Sequence, residues 1–326
     1  MNNKILVLGT IAYDAIETPF DKSGKILGGC ATYIGLSTTH FDNRCGLVSI
    51  VGNDFEKQYL DMLIQKEIDL SGVELHPTEK TFFWSGRYHN DLNTRTTLDT
   101  QLNVIEKFNP VVPENFKDAS FLMLGNLHPA LQLEILEQMP TKPEVVLLDT
   151  MNYWIADFRE DLDEIISKTN VISINDEEAR MLTNCHSLVK AAQKIQKMGP
   201  EFVIIKKGEH GALLFYKNEV FCAPALPLEE VFDPTGAGDS FIGGIVGFLA
   251  QQQQFDYHTM KTALIYGSVL ASITVEQFGV KSLQALENPN DIFSMIGSKN
   301  TVLILLLFSF LVGFLGLFIV VKNIHN

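Results

Sequence analysis

The sequence predicts an α/β fold built on a mainly parallel sheet, with a small β lid beside it and one C-terminal transmembrane helix. Three observations carry that prediction. Short apolar, β-branched runs alternate with helix-period segments along most of the chain, the pattern of parallel strands covered on both faces. One polar, aromatic stretch, residues 81–103 (TFFWSGRYHNDLNTRTTLDTQLN), breaks the rhythm. Residues 302–321 are mostly apolar and without a charged side chain.

In chain order, residues 5–8 read as a first core strand. Their apolar run is too short for a signal peptide, whose apolar region needs about 7–15 residues, so the main domain is expected in the cytosol. A helix opens at residues 30–39, after Gly28-Gly29. Residues 47–51 read as a strand and 55–68 as a helix, with apolar positions at helical spacing. Residues 119–124, 145–148, 171–174 and 203–205 are short buried strands with helical segments between the later ones. Residues 211–216 and 219–223 form an antiparallel hairpin turning at Lys217-Asn218, and 237–251 and 257–275 are two late helices. The interruption at 81–103 suits strands projecting from the main sheet as a lid, or equally a decorated surface hairpin.

Composition narrows the function classes. The chain has 326 residues, 25 Lys and Arg against 39 Asp and Glu, and a net charge of −14. That balance argues against a nucleic-acid partner. At 46% hydrophobic and 20% charged residues it buries a sizeable core. The mean hydropathy of +0.11 has a local source, since residues 301–321 include 17 apolar side chains. A helix of that length spans about 30 Å, the thickness of a bilayer's hydrocarbon core. Lys299 and Lys322 flank it on opposite sides, so charge sets no orientation. The expected organisation is a catalytic domain over residues 1–297, with the lid at 81–103, and a membrane helix at 301–321 that anchors it with the domain in the cytoplasm. The four cysteines, Cys30, Cys45, Cys185 and Cys222, form no Cys-x-x-Cys pair and indicate neither a disulfide framework nor a zinc site.

The strongest chemical signal is Asp233-Pro-Thr-Gly-Ala-Gly-Asp-Ser240, which leads into a small, apolar helix. Two glycines around Ala237 let the backbone turn with its N–H groups facing one point. A helix starting there adds unpaired N–H groups and a positive dipole end. The result is an anion hole at Gly236, Ala237 and Gly238, with the Asp239 carboxylate beside it. Such an arrangement receives the charge of a transferring phosphoryl group while the carboxylate orients or deprotonates a hydroxyl. No Gly-x4-Gly-Lys-[Ser/Thr] loop occurs, which excludes a P-loop kinase.

At these residues the chain resembles the ribokinase (PfkB) family of carbohydrate and nucleoside kinases, over about residues 4–280. Asp233-Pro-Thr-Gly-Ala-Gly-Asp239 matches its C-terminal signature, Gly9-x4-Asp14 its early substrate-binding Asp, and Gly28-Gly29 its hinge glycines. Asn175-x-x-Glu178 matches the Asn-x-x-Glu motif, and Lys206-Lys-Gly-Glu-His-Gly211 stands where relatives carry a nucleotide-site element. The resemblance implies a ribokinase-like three-layer fold and transfer of the ATP γ-phosphoryl group to a primary hydroxyl. It makes Asp239 the base and Gly236, Ala237 and Gly238 the anion hole. Asp14, with Gly28 and Gly29, would bind the sugar. Asn175, Lys206, Gly208, Gly211, Thr235 and Gly238 would line the nucleotide, and Glu178 would hold Mg2+ through water. Asp233 would bind a monovalent cation such as K+. A homodimer through the lids is a family-level expectation.

Several residues keep two readings. Asn175 and Glu178 also form a capping-box pattern. Tyr33 stands where many relatives have a sugar-binding Asn, and it offers one hydroxyl on a bulkier ring. Lys206 replaces the more usual Thr, to touch an ATP phosphate or to end a strand with a solvated charge. Arg87 and Arg95 in the lid stretch suit a substrate phosphate or plain solvation, and Phe82, Trp84 and Asn93 are lid residues that could close over a substrate. Asn152 and Trp154 follow a strand's carboxyl end, where open α/β sheets place ligands, and suit pocket walls or packing. The expected function is an ATP- and Mg2+-dependent carbohydrate kinase. A nucleoside kinase with an aromatic sandwich from Phe82, Trp84 and Tyr33 is the alternative, and a membrane-tethered sugar sensor without turnover is the rival of another class.

Overall fold

The computed structural model describes residues 2–286, and Met1–Ala285 form one compact unit. The expected membrane helix at 301–321 and the end of the expected domain at 297 lie outside the described residues. Among the described residues no helix is long and apolar enough to cross a membrane.

The chain opens with β1 (Lys4–Leu8), β2 (Ala12–Glu17), β3 (Lys22–Gly28) and α1 (Cys30–Thr38). It continues through β4 (Arg44–Val51), α2 (Lys57–Gln65), β5 (Asp69–Leu75), β6 (Phe83–Tyr88) and β7 (Arg95–Gln101). Then come β8 (Phe121–Leu124), α3 (Pro129–Glu137), β9 (Val145–Asp149), α4 (Asn152–Asp157) and α5 (Arg159–Lys168). After β10 (Val171–Asn175), α6 (Asp176–Thr183), α7 (Leu188–Met198) and β11 (Phe202–Lys206) the chain makes the hairpin β12 (Ala212–Tyr216) and β13 (Glu219–Ala223). It ends with α8 (Ala237–Ala250), α9 (Tyr257–Thr274) and α10 (Lys281–Ala285).

Nine strands form one sheet in the order β13-β12-β11-β10-β9-β8-β1-β4-β5. From β5 to β11 neighbours run parallel, and only the β12–β13 hairpin is antiparallel to its neighbours. The expected mainly parallel sheet is therefore present, and its middle strands are continuous apolar runs for the reason the pattern implied. Ile5–Leu8, all of β8 and the apolar residues of β9 are fully buried, since helices cover both faces. Each such aliphatic side chain contributes ~1.5–3 kcal/mol on burial. One face carries α3, α5, α6 and α7 over a core that includes Val146, Ile172, Ile174 and Val203. The opposite face carries α1, α8 and α9, making three layers. There α8 and α9 approach closely at glycines: a Cβ on Gly244 would lie 2.9 Å from the Gly267 Cα.

A second sheet of four strands, β3-β2-β6-β7, is the lid. It corrects the sequence expectation, which placed the lid in residues 81–103 alone. Half of it is the β2–β3 hairpin, whose mixed polar and apolar residues lack clean alternation. The edge strand β5 was also not anticipated, because none of its seven residues is fully buried and no apolar run marks it. The helix expected at 55–68 is shorter, Lys57–Gln65, with Glu56 extended at its start.

Candidate active site

The carboxyl ends of the parallel strands hold the polar residues. In each of β9, β10 and β11 the strand continues one residue past its expected apolar run and ends on Asp149, Asn175 or Lys206. Asp149 pairs with Ser173, and Asn175 pairs with Lys206, so all four side chains share one face of the sheet. Lys206 reaches back across β10 and donates from Nζ to Asp149 Oδ1 at 2.9 Å. The ion pair is largely enclosed, with 20% of the Lys206 side chain and 9% of the Asp149 side chain exposed. Burial works against the lysine's charge, but Asp149, Glu178 and Asp239 together hold its pKa above the ordinary value.

Asn175 caps α6 reciprocally. Its Oδ1 accepts the Glu178 N–H at 2.7 Å, and Glu178 Oε2 accepts the Asn175 N–H at 2.8 Å. The capping role expected of this pair is thus present. Glu178 is nonetheless a buried carboxyl whose pKa is raised to about 7, by burial first and against the pull of Lys206.

The loop before α8 is tied by Asp233, which is fully buried. Its Oδ1 accepts the Thr235 N–H at 2.9 Å and its Oδ2 accepts the Gly279 N–H at 3.2 Å. Gly236 turns the chain at φ +78°, and a Cβ there would meet the Tyr33 ring at 2.4 Å. Only glycine fits, for both backbone and space. At the helix start the Ala237 N–H donates to Pro234 O at 3.2 Å and the Ser240 N–H to Gly236 O at 2.8 Å. The Gly238 and Asp239 N–H groups between them make no backbone hydrogen bond among the described residues, as first-turn groups should not. They point to an anion site at the positive end of α8. A Cβ on Gly238 would lie 3.3 Å from Lys206 Nζ, so the lysine ammonium sits against this turn. Burial, then the Asp149 charge, raises Asp239 to about 7, while Lys206 and Arg95 pull it down.

Asp14 enters from β2. It is buried, receives the Gly29 N–H, and is raised to about 7 by burial and then by Asp233. A Cβ on Gly28 would fall 1.8 Å from Asp14 Oδ2, so the glycine makes the room the carboxyl occupies. Gly29 starts α1 at φ +91°. Next to it, burial pushes the Cys30 thiol up to about 12, which makes it an inert neighbour. Tyr33 is fully buried, and its hydroxyl has no hydrogen-bond partner among the described residues. Burial and the charges of Asp14, Asp233 and Asp239 raise that hydroxyl well above a normal phenol.

The lid covers this group. Asp14 pairs with Trp84 in parallel register, so Asp14, Trp84, Gly86 and Tyr88 line one face of the lid sheet. On that face the Tyr88 hydroxyl accepts from Thr235 Oγ1 at 3.3 Å. At the hairpin tip Asn93 lies against Gly208: a Cβ on Gly208 would be 2.5 Å from Asn93 Oδ1. The lid thus touches the anion-site loop and the turn after β11.

Among the expected site residues, the structure gathers Asp14, Gly28, Gly29, Tyr33, Asp233, Thr235, Gly236, Ala237, Gly238 and Asp239 around the α8 terminus. Asn175, Glu178 and Lys206 lie at the adjoining strand ends, and Gly208 and Gly211 shape the turn that follows β11 at φ +55° and +78°. Three residues are placed elsewhere. Arg87 lies on the outer lid face, where its Nε donates to Glu17 Oε2 at 2.7 Å. Asn152 is exposed and accepts the Tyr153 N–H at 2.9 Å, and Trp154 packs on His128 and Phe158. Asp149 was not singled out, though its place at a strand's carboxyl end was a usable signal. Tyr88 was likewise missed, and alternation through β6 would have put it on the face opposite Arg87.

Among the described residues no three His, Cys, Asp or Glu side chains converge on a metal point. What the strand ends offer is separate hard oxygen donors, at Glu178 and Asp149. Mg2+ keeps several waters and takes one or two carboxylates plus substrate phosphates, so this donor set fits a water-mediated ion.

Comparison with known proteins agrees with this arrangement. The family model described as pfkB family carbohydrate kinase matches residues 3–286. The chain is 30% identical to the cytidine kinase of Thermococcus kodakarensis, over 74% of this chain and 87% of that protein. It is 33% identical to the ribokinase of Haemophilus influenzae, over 86% and 95%. Among solved structures, the fold matches a putative ribokinase II from E. coli in complex with ATP and Mg2+, at a TM-score of 0.74 and 22% identity, covering 91% of this chain and 99% of that one.

Proposed function

Because the chain belongs to the pfkB family of carbohydrate kinases, phosphotransferases with an alcohol acceptor, we propose that it transfers the γ-phosphoryl group of ATP to a primary hydroxyl of a sugar or related carbohydrate. The observation that carries this reading is the unpaired Gly238 and Asp239 N–H groups beside the Asp239 carboxyl, facing Asp14 under the lid.

In this reading Asp14 accepts hydrogen bonds from sugar hydroxyls, and Asp239 lies against the reacting one. The acceptor oxygen bonds to the γ-phosphorus as the bond to the bridging oxygen breaks, its proton passes to Asp239, and ADP leaves. The transition state is loose, so the proton moves late and most of the catalysis is charge stabilisation. The backbone N–H groups at the α8 terminus and Lys206 hold the phosphoryl oxygens, and Thr235, Gly208 and Gly211 shape the nucleotide side. Mg2+, when bound through Glu178 and water, neutralises phosphate charge. Asp233, already holding two N–H groups, is the candidate for a monovalent cation such as K+. Lid contacts at Thr235 and Gly208 exclude water and suppress ATP hydrolysis.

A nucleoside acceptor is the second reading. It is favoured by Trp84 and Tyr88 on the inner lid face, which suit stacking of a base, and by likeness to a cytidine kinase. A pure sugar sensor has no use for a carboxyl beside an anion site. A phosphotransfer screen over pentoses, hexoses, hexose phosphates and nucleosides tests the proposal. Turnover with a sugar upholds it, turnover with nucleosides alone moves it to the second reading, and binding without ADP release supports the sensor. We further propose that residues 301–321 anchor the kinase to a membrane with the domain in the cytoplasm. The full chain should sediment with membranes and a chain ending at 297 should not; equal recovery of both in the soluble fraction would reject the anchor.

A further inference from the structure

We propose that Arg95, carried on the lid, binds the phosphoryl group during transfer and thereby couples lid closure to the reaction. The inference rests on the kinase reading above and deepens it.

Charge balance around the anion site motivates it. Asp149, Glu178 and Asp239 cluster there, and the one lysine among them, Lys206, is already paired with Asp149 at 2.9 Å. A phosphoryl group arriving with its own negative charge meets three carboxyls and a lysine already shared with one of them, so a further cation adds to what the α8 terminus and Mg2+ supply. The lid holds such a cation on its inner face. Arg95 stands opposite Tyr88 in the β6–β7 register, on the same lid face as Trp84 and Asp14. Tyr88 accepts from Thr235 of the anion-site loop at 3.3 Å, which brings this end of the lid against that loop. Two residues away in sequence, Asn93 rests on Gly208.

The guanidinium is exposed and makes no ion pair among the described residues, whereas Arg87 on the opposite face is engaged by Glu17. Its carbon lies 5.9 Å from the Trp84 ring centroid. Its charge is felt by both Asp239, at the start of α8, and Glu178, in the first turn of α6. A planar donor fork near these carboxyls, with no ion pair of its own among the described residues, matches the oxygens of a phosphoryl group. Because the arginine belongs to the lid, its charge reaches the reaction only when the lid is closed. The same chemistry would suit a phosphate carried by the acceptor, and the test separates the two.

Arg95→Met and Arg95→Lys are compared with Lys22→Met on the outer lid face, where Lys22 pairs with Glu17. With an unphosphorylated acceptor, Arg95→Met is expected to lower kcat about 100-fold with little change in acceptor KM, the scale of losing one preorganised donor. Arg95→Lys should retain part of the rate, guanidinium ion should partly rescue Arg95→Met, and Lys22→Met should match the parent. Binding gives an independent readout through Trp84, the only indole left in a Trp154→Phe background. The parent should bind ATP more tightly than ADP, and Arg95→Met should lose that preference. A kcat within threefold of the parent overturns the proposal, as does an effect confined to the KM of phosphorylated acceptors. If no acceptor is phosphorylated, the kinase reading fails instead, and the ATP-over-ADP preference still decides whether Arg95 binds the terminal phosphate.

Discussion

Asp239 and Gly236 show how differently residues of one short loop depend on their surroundings. With Asp239 raised to about 7, the base is fully available only above neutrality. The rate kcat/KM should therefore fall about tenfold per pH unit below about 7. Lys206 lowers the Asp239 pKa, so Lys206→Met should move that acid limb to higher pH; an unmoved limb would assign the titration to another group. Asp239→Asn should fold and lose turnover by about 10²–10⁴-fold in a coupled ADP assay. Gly236→Ala is a different experiment. It costs about 1–2 kcal/mol for the left-handed backbone alone, and its Cβ strikes the Tyr33 ring at 2.4 Å. Gly238→Ala meets only the end of the Lys206 side chain, at 3.3 Å and without a left-handed backbone to strain. Thermal unfolding should accordingly show a clearly larger loss for Gly236→Ala than for Gly238→Ala.

At the scale of elements, the site is a meeting of four parts: the carboxyl ends of β9 to β11, the amino end of α8, the start of α1, and the inner face of the lid. Helix α8 is held by tight packing of Gly244 against Gly267, which keeps its terminus aligned with the sheet. The lid meets the anion-site loop through Tyr88. Removing its hydroxyl loses about 1 kcal/mol of closure, so Tyr88→Phe should raise acceptor KM about fivefold and increase ADP release without acceptor. Unchanged coupling of ADP to product would show that the Tyr88–Thr235 contact does not hold the lid. The lid also explains why Arg87 and Arg95, equally polar on paper, part company: Arg95 pairs with Tyr88, the neighbour of Arg87 on β6, so the two lie on opposite faces.

For the whole molecule, the buried carboxyls set the pH dependence of stability. Asp14 and Glu178 are raised in the folded protein from ordinary carboxylate values to about 7. The folded state therefore binds protons more tightly than the unfolded chain. Their contribution is fully present at low pH and is lost as pH rises through about 7. Exposed carboxyls such as Glu17 and Asp118, lowered by lysine and arginine partners, act oppositely, but their effect is complete by about pH 5. Between pH 5.5 and 8 the ligand-free protein should lose thermal stability, and Asp14→Asn with Glu178→Gln should flatten that slope. A melting temperature that rises over this range would contradict the burial argument.

Local pattern alone determined much of this protein. Continuous apolar runs marked every inner strand because parallel strands are buried on both faces, and the Asp-Pro-Thr-Gly-Ala-Gly-Asp string marked the anion site because a tight turn into a helix needs glycine there. What local pattern did not carry was anything set by contact between distant segments. The β2–β3 half of the lid acquires its faces only by pairing with β6, so its sequence has no clear period. The Asp149–Lys206 bridge joins strands 57 residues apart. The inward turn of Arg95 and the outward turn of Arg87 follow from the register of β6 against β7. Tertiary structure decided these because charge and facing depend on which chain segments meet, and no window of neighbouring residues contains that information.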